Sequence, residues 1–209
     1  MASEVEIQRG KYIVIEGGEG AGKSAQARRL AEALGACLTR ETGGTDIGRR
    51  IREILHDNSV TNLDPMAEAM LVSADRAQHI FEVVAPTLYS GRDLVSDRNW
   101  WSFVAYQGFG REQDIGNMYR LTRMATGELY MPDLVVVIRV TKEEARKRMT
   151  GRELDRFEQA GDEFHDLVDK GYDYLLDTYH DIGVLVDGNA SPDNVYFQIR
   201  RLCRDRLGI

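Results

Sequence analysis

The sequence predicts an α/β domain: a doubly wound parallel sheet of about five strands with helices on both faces. Three observations carry that reading. An apolar run, Tyr12 to Ile15, breaks into a glycine-rich turn and continues as a polar, helix-compatible segment from Ala25 to Leu34. Leu134-Val135-Val136-Val137-Ile138 is a continuous apolar, mostly β-branched run, the pattern of a central parallel strand covered on both faces. Strand-like and helix-like segments alternate through all 209 residues, without repeats, low-complexity tracts or a dividing linker.

The elements come in order along the chain. Residues 1–10 are polar, carry Glu4 and Glu6, and lack the apolar core of a signal peptide. They read as a short arm before a single domain over 11–209. After the first strand and helix, Ala36 to Thr39 is a second apolar piece. Ile47 to Leu55 has apolar residues at Ile47, Ile51, Ile54 and Leu55, a helical spacing. Asp64-Pro65 pairs an N-cap with a first-turn proline and opens a long helix from Met66 to Tyr89, which Pro86 should bend or break. Asp93 to Arg98 reads as a short strand ending in charge, and Trp100 to Gly127 as helical or loop. Beyond the central strand, Thr141-Lys142-Glu143-Glu144 is a capping box. A helix from Asp162 to His180, a last strand from Ile182 to Val186, and a C-terminal helix capped by Ser191-Pro192 complete the chain.

Composition narrows the function. Hydrophobic residues make up 43% and charged residues 29%, ordinary for a soluble globular domain with a real core. A net charge of −7 argues against a broad nucleic-acid footprint, so any phosphate must be held by local basic groups. Cys37 and Cys203 lie far apart without zinc spacing and read as buried or free thiols, which suits a reducing, cytoplasmic compartment. No apolar stretch is long enough for a membrane span.

The first strand leads into Gly17-Gly18-Glu19-Gly20-Ala21-Gly22-Lys23-Ser24, which matches G-x-x-x-x-G-K-[ST]. Glycines let successive N–H groups point into one concavity, and the helix that starts there adds its positive end. Lys23 would reach the β- and γ-phosphates of a nucleoside triphosphate, and the Ser24 hydroxyl would hold a magnesium ion. The fold class is therefore a P-loop NTPase fold. In such sheets ligands sit at the carboxyl ends of the strands. Asp97 and Arg98 fall there, as a magnesium-shell carboxylate and a second phosphate ligand, or else as a strand-end salt bridge. Arg40 precedes a Gly43-Gly44 turn that suits an acceptor phosphate, or is simply polar. Arg76, with Asp75 and Gln78, lies in the long helix and could hydrogen-bond a base edge; a partly exposed helix turn reads the same. From Arg146 to Arg156 the chain has five basic and two acidic residues. That suits a short lid over about 146–158, whose arginines neutralise a transferring phosphoryl group, with Gly151 as a hinge. A solvated helix face with a Glu144–Arg148 ion pair is the alternative.

Six stretches, in order and spacing, resemble thymidylate kinases: Glu16 to Ser24, Thr39 to Thr45, Ser73 to His79, Ser96 to Arg98, Ala105 to Gly108, and Gly151 to Glu158. The resemblance covers about residues 11 to 205. It implies transfer of the ATP γ-phosphate to dTMP, giving dTDP and ADP, usually in a homodimer, with no nucleic-acid or membrane partner. By position, Glu19 faces the acceptor deoxyribose, Arg40 and Arg98 hold the acceptor phosphate, Arg76 reads the thymine, Tyr106 lies against the deoxyribose and Gln107 is near the base. Gly20 stands where one branch of the family has a catalytic arginine. The chain looks like the bacterial branch, which takes that arginine from the lid: Arg148, Arg152 or Arg156, with Arg152 favoured.

Four positions depart from the family pattern. Thr42 replaces a proline, and Val72 replaces the aromatic that stacks on thymine. Asn99 replaces a tyrosine. Phe103, after Ser102, replaces a small or polar residue and could offer a stacking face from the other side. Selectivity for thymine over uracil is therefore expected to be relaxed. A same-fold kinase acting on dUMP or another monophosphate is the nearest rival reading, and a nucleotide switch without transfer activity the more distant one.

Overall fold

The structure is a computed structural model that describes residues 9–127, 131–151 and 153–209. Five strands form one parallel sheet: β1 (Tyr12–Glu16), β2 (Cys37–Arg40), β3 (Leu94–Asp97), β4 (Leu134–Arg139) and β5 (Gly183–Asp187). Their order is β2-β3-β1-β4-β5, the doubly wound sheet that the sequence predicts. The helices are α1 (Lys23–Leu34), α2 (Asp46–His56), α3 (Pro65–His79), α4 (Ala85–Tyr89), α5 (Trp100–Phe103), α6 (Ile115–Thr126), α7 (Lys142–Met149), α8 (Asp162–Thr178) and α9 (Pro192–Leu207).

The strands alternate faces with a period of two, and the core divides accordingly. Tyr12 and Val14 of β1, with Val135 and Val137 of β4, pack against Trp101, Phe103 and Tyr172. Ile13 and Ile15, with Leu134, Val136 and Ile138, pack against Leu30, Val195, Ile199 and Cys203. The register aligns the strand ends. Arg40 pairs with Asp97 across β2 and β3, and Asp97 with Ile15 across β3 and β1. The charged residues just past these strands thus emerge at one level on one edge.

The helix starts match the sequence signals. The Asp64 side chain accepts from the N–H groups of Met66 and Ala67, Thr141 from Glu144, and Ser191 from Asn194. The long helix differs. It is not broken at Pro86; it continues through a π-helical turn, Ile80–Val84, into α4. Pro86 has no N–H and its ring crowds the carbonyl four residues back, so the chain widens just before it: the Ala85 N–H bonds to Ile80 O. The Trp100 to Gly127 region resolves into α5, a second π-helical segment, Val104–Gly110, and α6, which Asp114 caps.

α7 has no buried residue. Ion pairs tie it to α8: Arg146 to Asp162 at 2.5 Å, and Lys142 to Asp166. Among the described residues of the 146–158 stretch only the first part is helical, since α7 ends at Met149.

Gly17 leaves β1 with φ +137°, and a Cβ there would sit 2.1 Å from the Ile138 carbonyl oxygen. β4 therefore passes directly under the start of the loop. Gly17→Ala should lower the stability by about 3 kcal/mol, because the clash is with backbone that cannot swing away. Urea unfolding measures this, and an unchanged midpoint would contradict the close approach.

Candidate active site

The loop between β1 and α1 brings the first group of side chains together. Lys23 is buried, and its Nζ donates to the Gly18 carbonyl at 2.6 Å and lies 4.0 Å from Glu19 Oε2. Burial and the nearby Arg98 push its pKa down, while Glu19 and Asp97 hold the charge in place. Ser24 Oγ donates to Asp97 Oδ2 at 2.5 Å. The other Asp97 oxygen is buried and has no hydrogen-bond partner among the described residues. A hydroxyl and a carboxylate with a free lone-pair atom form a hard-oxygen pair, so these residues fit a magnesium ion. Gly20, with φ +72°, backs onto α7: a Cβ there would lie 2.9 Å from the Ala145 carbonyl oxygen. A larger side chain at position 20 would press into that helix.

The second group surrounds a cavity of about 360 Å³ that opens beside the loop. Four arginines line it: exposed Arg40 at the end of β2, Arg52 on α2, Arg76 on α3, and Arg98 just past β3. Burial, then the fields of Arg40 and Arg98, push Arg52 down to about 10, the signature of clustered positive charge. The sequence reading passed over Arg52. The signal was its spacing: it precedes Leu55 and His56 by three and four residues, and all three line the cavity from one helix face.

Arg98 has a left-handed backbone, φ +74°, which turns its side chain back over the loop. Its guanidinium pairs with Glu19 and donates to Tyr106 OH at 3.1 Å and Ser102 Oγ at 2.9 Å. Burial raises the Glu19 carboxyl, but Arg98 and Lys23 outweigh it and hold Glu19 well below the usual carboxylate range. The Tyr106 hydroxyl donates to Glu19 at 2.8 Å. Glu19 therefore joins the loop to Arg98 and Tyr106 in the cavity wall.

The far end of the cavity is the base end of the sequence reading. Arg76 is fully buried and donates through Nε to Glu41 Oε1 at 2.8 Å. Its Nη2 lies 2.6 Å from the same oxygen without hydrogen-bond geometry, and Nη1 has no partner among the described residues. The guanidinium sits over the Phe103 ring, 4.7 Å from its centroid. Phe103 thus already stacks on Arg76 with one face. Val72, 7% exposed, and Gln107 line the same end, and Gln107 donates to Glu68 at 2.9 Å. Ser102 also lines the cavity, but its hydroxyl donates inward, to Glu16 Oε2 at 2.6 Å.

The lid residues divide. Arg148 pairs with Glu144 at 2.8 Å and donates to the carbonyls of Gly20 at 3.3 Å and Gly188 at 2.9 Å, which sets it over the phosphate loop. Arg156 points the other way. It donates to Glu68 Oε2 at 2.5 Å and to the Leu55 carbonyl at 2.9 Å, so it pins the lid segment to α2 and α3 and is not aimed at the loop. His56 and Asp155, 2.7 Å apart, add a second tie. Arg152 lies outside the described residues.

The thymidylate kinase model matches residues 15–199. The chain belongs to the thymidylate kinase family. The thymidylate kinase of Pelotomaculum thermopropionicum is 42% identical over 171 residues, which covers 78% of this chain and 79% of that protein. That of Halalkalibacterium halodurans is 35% identical, covering 97% and 100%. A crystal structure of thymidylate kinase from Ehrlichia chaffeensis superposes with a TM-score of 0.77, covering 94% of this chain and 99% of that one; at 23% identity it speaks to the fold alone. Against this thymidylate kinase background the four replaced residues, Thr42, Val72, Asn99 and Phe103, all line the cavity. Arg76 lies beside Phe103. Asn99 caps α5, accepting from the Trp101 N–H at 2.9 Å.

Asp75, next to Arg76, has a distinct titration. Burial and the nearby Glu41 raise it to about 6, although its Oδ1 accepts from the Gly43 N–H at 2.9 Å. Between its ordinary value of 3.8 and about 6 the folded chain binds more protons than the unfolded one. Stability therefore falls as pH rises through that window. Asp75→Asn keeps an acceptor for Gly43 and removes the proton. Thermal unfolding at a series of pH values should give a flatter profile for the variant, with a difference of up to about 3 kcal/mol; identical slopes would sink the assignment.

Proposed function

We propose that this chain transfers the γ-phosphoryl group of ATP to dTMP, giving dTDP and ADP, with the residues of the two groups above in separate roles. The observation that carries the reading is the meeting of two anion sites at one carboxylate. The phosphate loop with Lys23 lies on one side of Glu19, and Arg40, Arg52 and Arg98 lie on the other. A nucleotide switch needs the first site and has no use for the second.

The loop residues Gly17, Gly18, Glu19, Gly20, Ala21, Gly22, Lys23 and Ser24 cradle the triphosphate, with Lys23 placing positive charge on the transferring group. Ser24 and Asp97 would hold a magnesium ion, which when bound supplies further charge to the phosphates. Arg40, Arg52 and Arg98 align the acceptor phosphate. Its oxygen is already a nucleophile, so no side chain acts as a strong base, and the chemistry rests on positioning and charge neutralisation. Arg148 borders the triphosphate. Arg152 is assigned to the transferring group on its place in the lid sequence, and Arg156 to closing the lid on Glu68. Tyr106 bounds the sugar, while Arg76, Gln107, Val72 and Phe103 bound the base.

A coupled assay of ADP release tests this. ADP should appear with ATP and dTMP and not with ATP alone, and Lys23→Met should abolish turnover while leaving the fold intact. Running dUMP and dGMP beside dTMP reads the base end directly. An equal rate without any monophosphate would overturn the kinase reading.

The assembly is assigned as a homodimer. Met70, Ala74, Ala77 and Phe81 form an exposed apolar stripe at helical spacing along α3 and its π turn, with Met70 56% and Phe81 76% exposed. Phe81→Glu should then sediment as a monomer where the parent chain sediments as a dimer; no change in mass would refute that face. Among the described residues no helix is long and apolar enough to cross a membrane, and Cys37 and Cys203 are free thiols, which suits the cytoplasm.

A further inference from the structure

Glu16, the last residue of β1, is fully buried beneath the loop and lies outside the roles assigned above. Burial raises its pKa, and Arg98 opposes that rise. Its carboxylate collects four donors. Oε1 accepts from the N–H groups of Asn99 at 2.8 Å and Ser102 at 3.1 Å. Oε2 accepts from the hydroxyls of Ser102 at 2.6 Å and Tyr172 at 2.9 Å. Each hydroxyl has one proton, and Glu16 is the nearest acceptor for both, ahead of the 3.1 Å contact between them and of the Gly17 carbonyl 3.4 Å from Tyr172. Their lone pairs are left for a donor on the other side, and that donor is Arg98. Its Nη1 lies 2.9 Å from Ser102 Oγ and 3.3 Å from Tyr172 OH, and also donates to the Gly17 carbonyl at 3.2 Å.

We propose that Glu16 and Tyr172 are positioning residues that aim Arg98 at the acceptor phosphate. The proposal rests on the dTMP kinase reading and adds to it. Arg98 needs such a hold for two reasons. Its backbone is left-handed at φ +74°, a conformation that costs a non-glycine residue free energy and is kept only where the surroundings enforce it. Its side chain also carries the charge that Glu19 and the acceptor phosphate share, so a swing of the guanidinium would trade one partner for the other. Glu19 and Tyr106 grip Nη2, and the Glu16 hydroxyl pair grips Nη1. The two grips fix the plane of the guanidinium, and with it the direction of the edge offered to an anion. Tyr172 belongs to α8, in the last third of the chain, so the helix just after the lid takes part in setting the acceptor site.

The test compares two ligands that differ by the phosphate alone. Tyr172→Phe removes one hydroxyl and keeps the ring. It should weaken dTMP binding about tenfold, the order expected for losing one hydrogen bond to a charged group, and leave thymidine binding unchanged in titration calorimetry. The KM for dTMP should rise while the KM for ATP stays within about twofold. A general loosening of the core would weaken both ligands alike, and that result, or no loss for either, overturns the proposal. Glu16→Gln should act in the same direction. If it folds, adding Tyr172→Phe to it should cost little more, because the carboxylate works through the hydroxyl; fully additive losses would overturn the link. Failure of the parent chain to bind dTMP at all would instead count against the kinase reading, and is separately visible.

Discussion

The structure depends on the complete burial of β1. That strand is paired on both edges, to β3 and β4, and covered on both faces by the two halves of the core. No water can satisfy its backbone, so its register is fixed by the ladder bonds and by the alternation of Tyr12 and Val14 against Ile13 and Ile15. A fixed central strand gives fixed endpoints for everything attached to it. The phosphate loop leaves from Glu16 and Gly17, and β3 delivers Asp97 and Arg98 at the same level. The two halves of the site can then be set to within hydrogen-bonding tolerance, although they come from loops.

Much of this was legible because the signals are local. The glycine pattern between an apolar run and a helix, the Asp64-Pro65 and Ser191-Pro192 starts, and the apolar run of β4 each state their structure within a few residues. The features that could not be read depend on partners distant in sequence. Arg156 carries the same charge as Arg148, yet Glu68 on α3 captures one and the loop carbonyls receive the other. Phe103 is a stacking residue by type, but its near neighbour is Arg76. Arg52 is passed over in the sequence, since the arginines whose fields it feels, Arg40 and Arg98, come from other elements. The Asp75 carboxyl is raised first by its burial and then by Glu41, and both depend on elements distant in sequence.

The π-helical segments show the same division. Pro86 marks the first in the sequence, although the chain's answer is to widen and not to stop. The second, Val104–Gly110, has no proline to announce it. An extra residue per turn rotates the helix beyond it, and the segment carries Tyr106 and Gln107, both of which face the cavity. Tyr106 reaches Glu19 and Gln107 reaches Glu68, two carboxylates on different elements.

α7 differs in kind from the rest of the molecule. The sheet and its helices are fastened by burial, whereas α7 buries nothing and is held across α8 by exposed ion pairs. The two kinds of fastening respond to different variables. Mobile salt shortens the reach of exposed charges to about 3 Å at 1 M but leaves buried apolar contacts intact or strengthens them. The ionic atmosphere therefore loosens the ties of α7 to α8 while sparing the buried contacts of the sheet. The hold on α7 varies with the medium, while the sheet keeps its geometry.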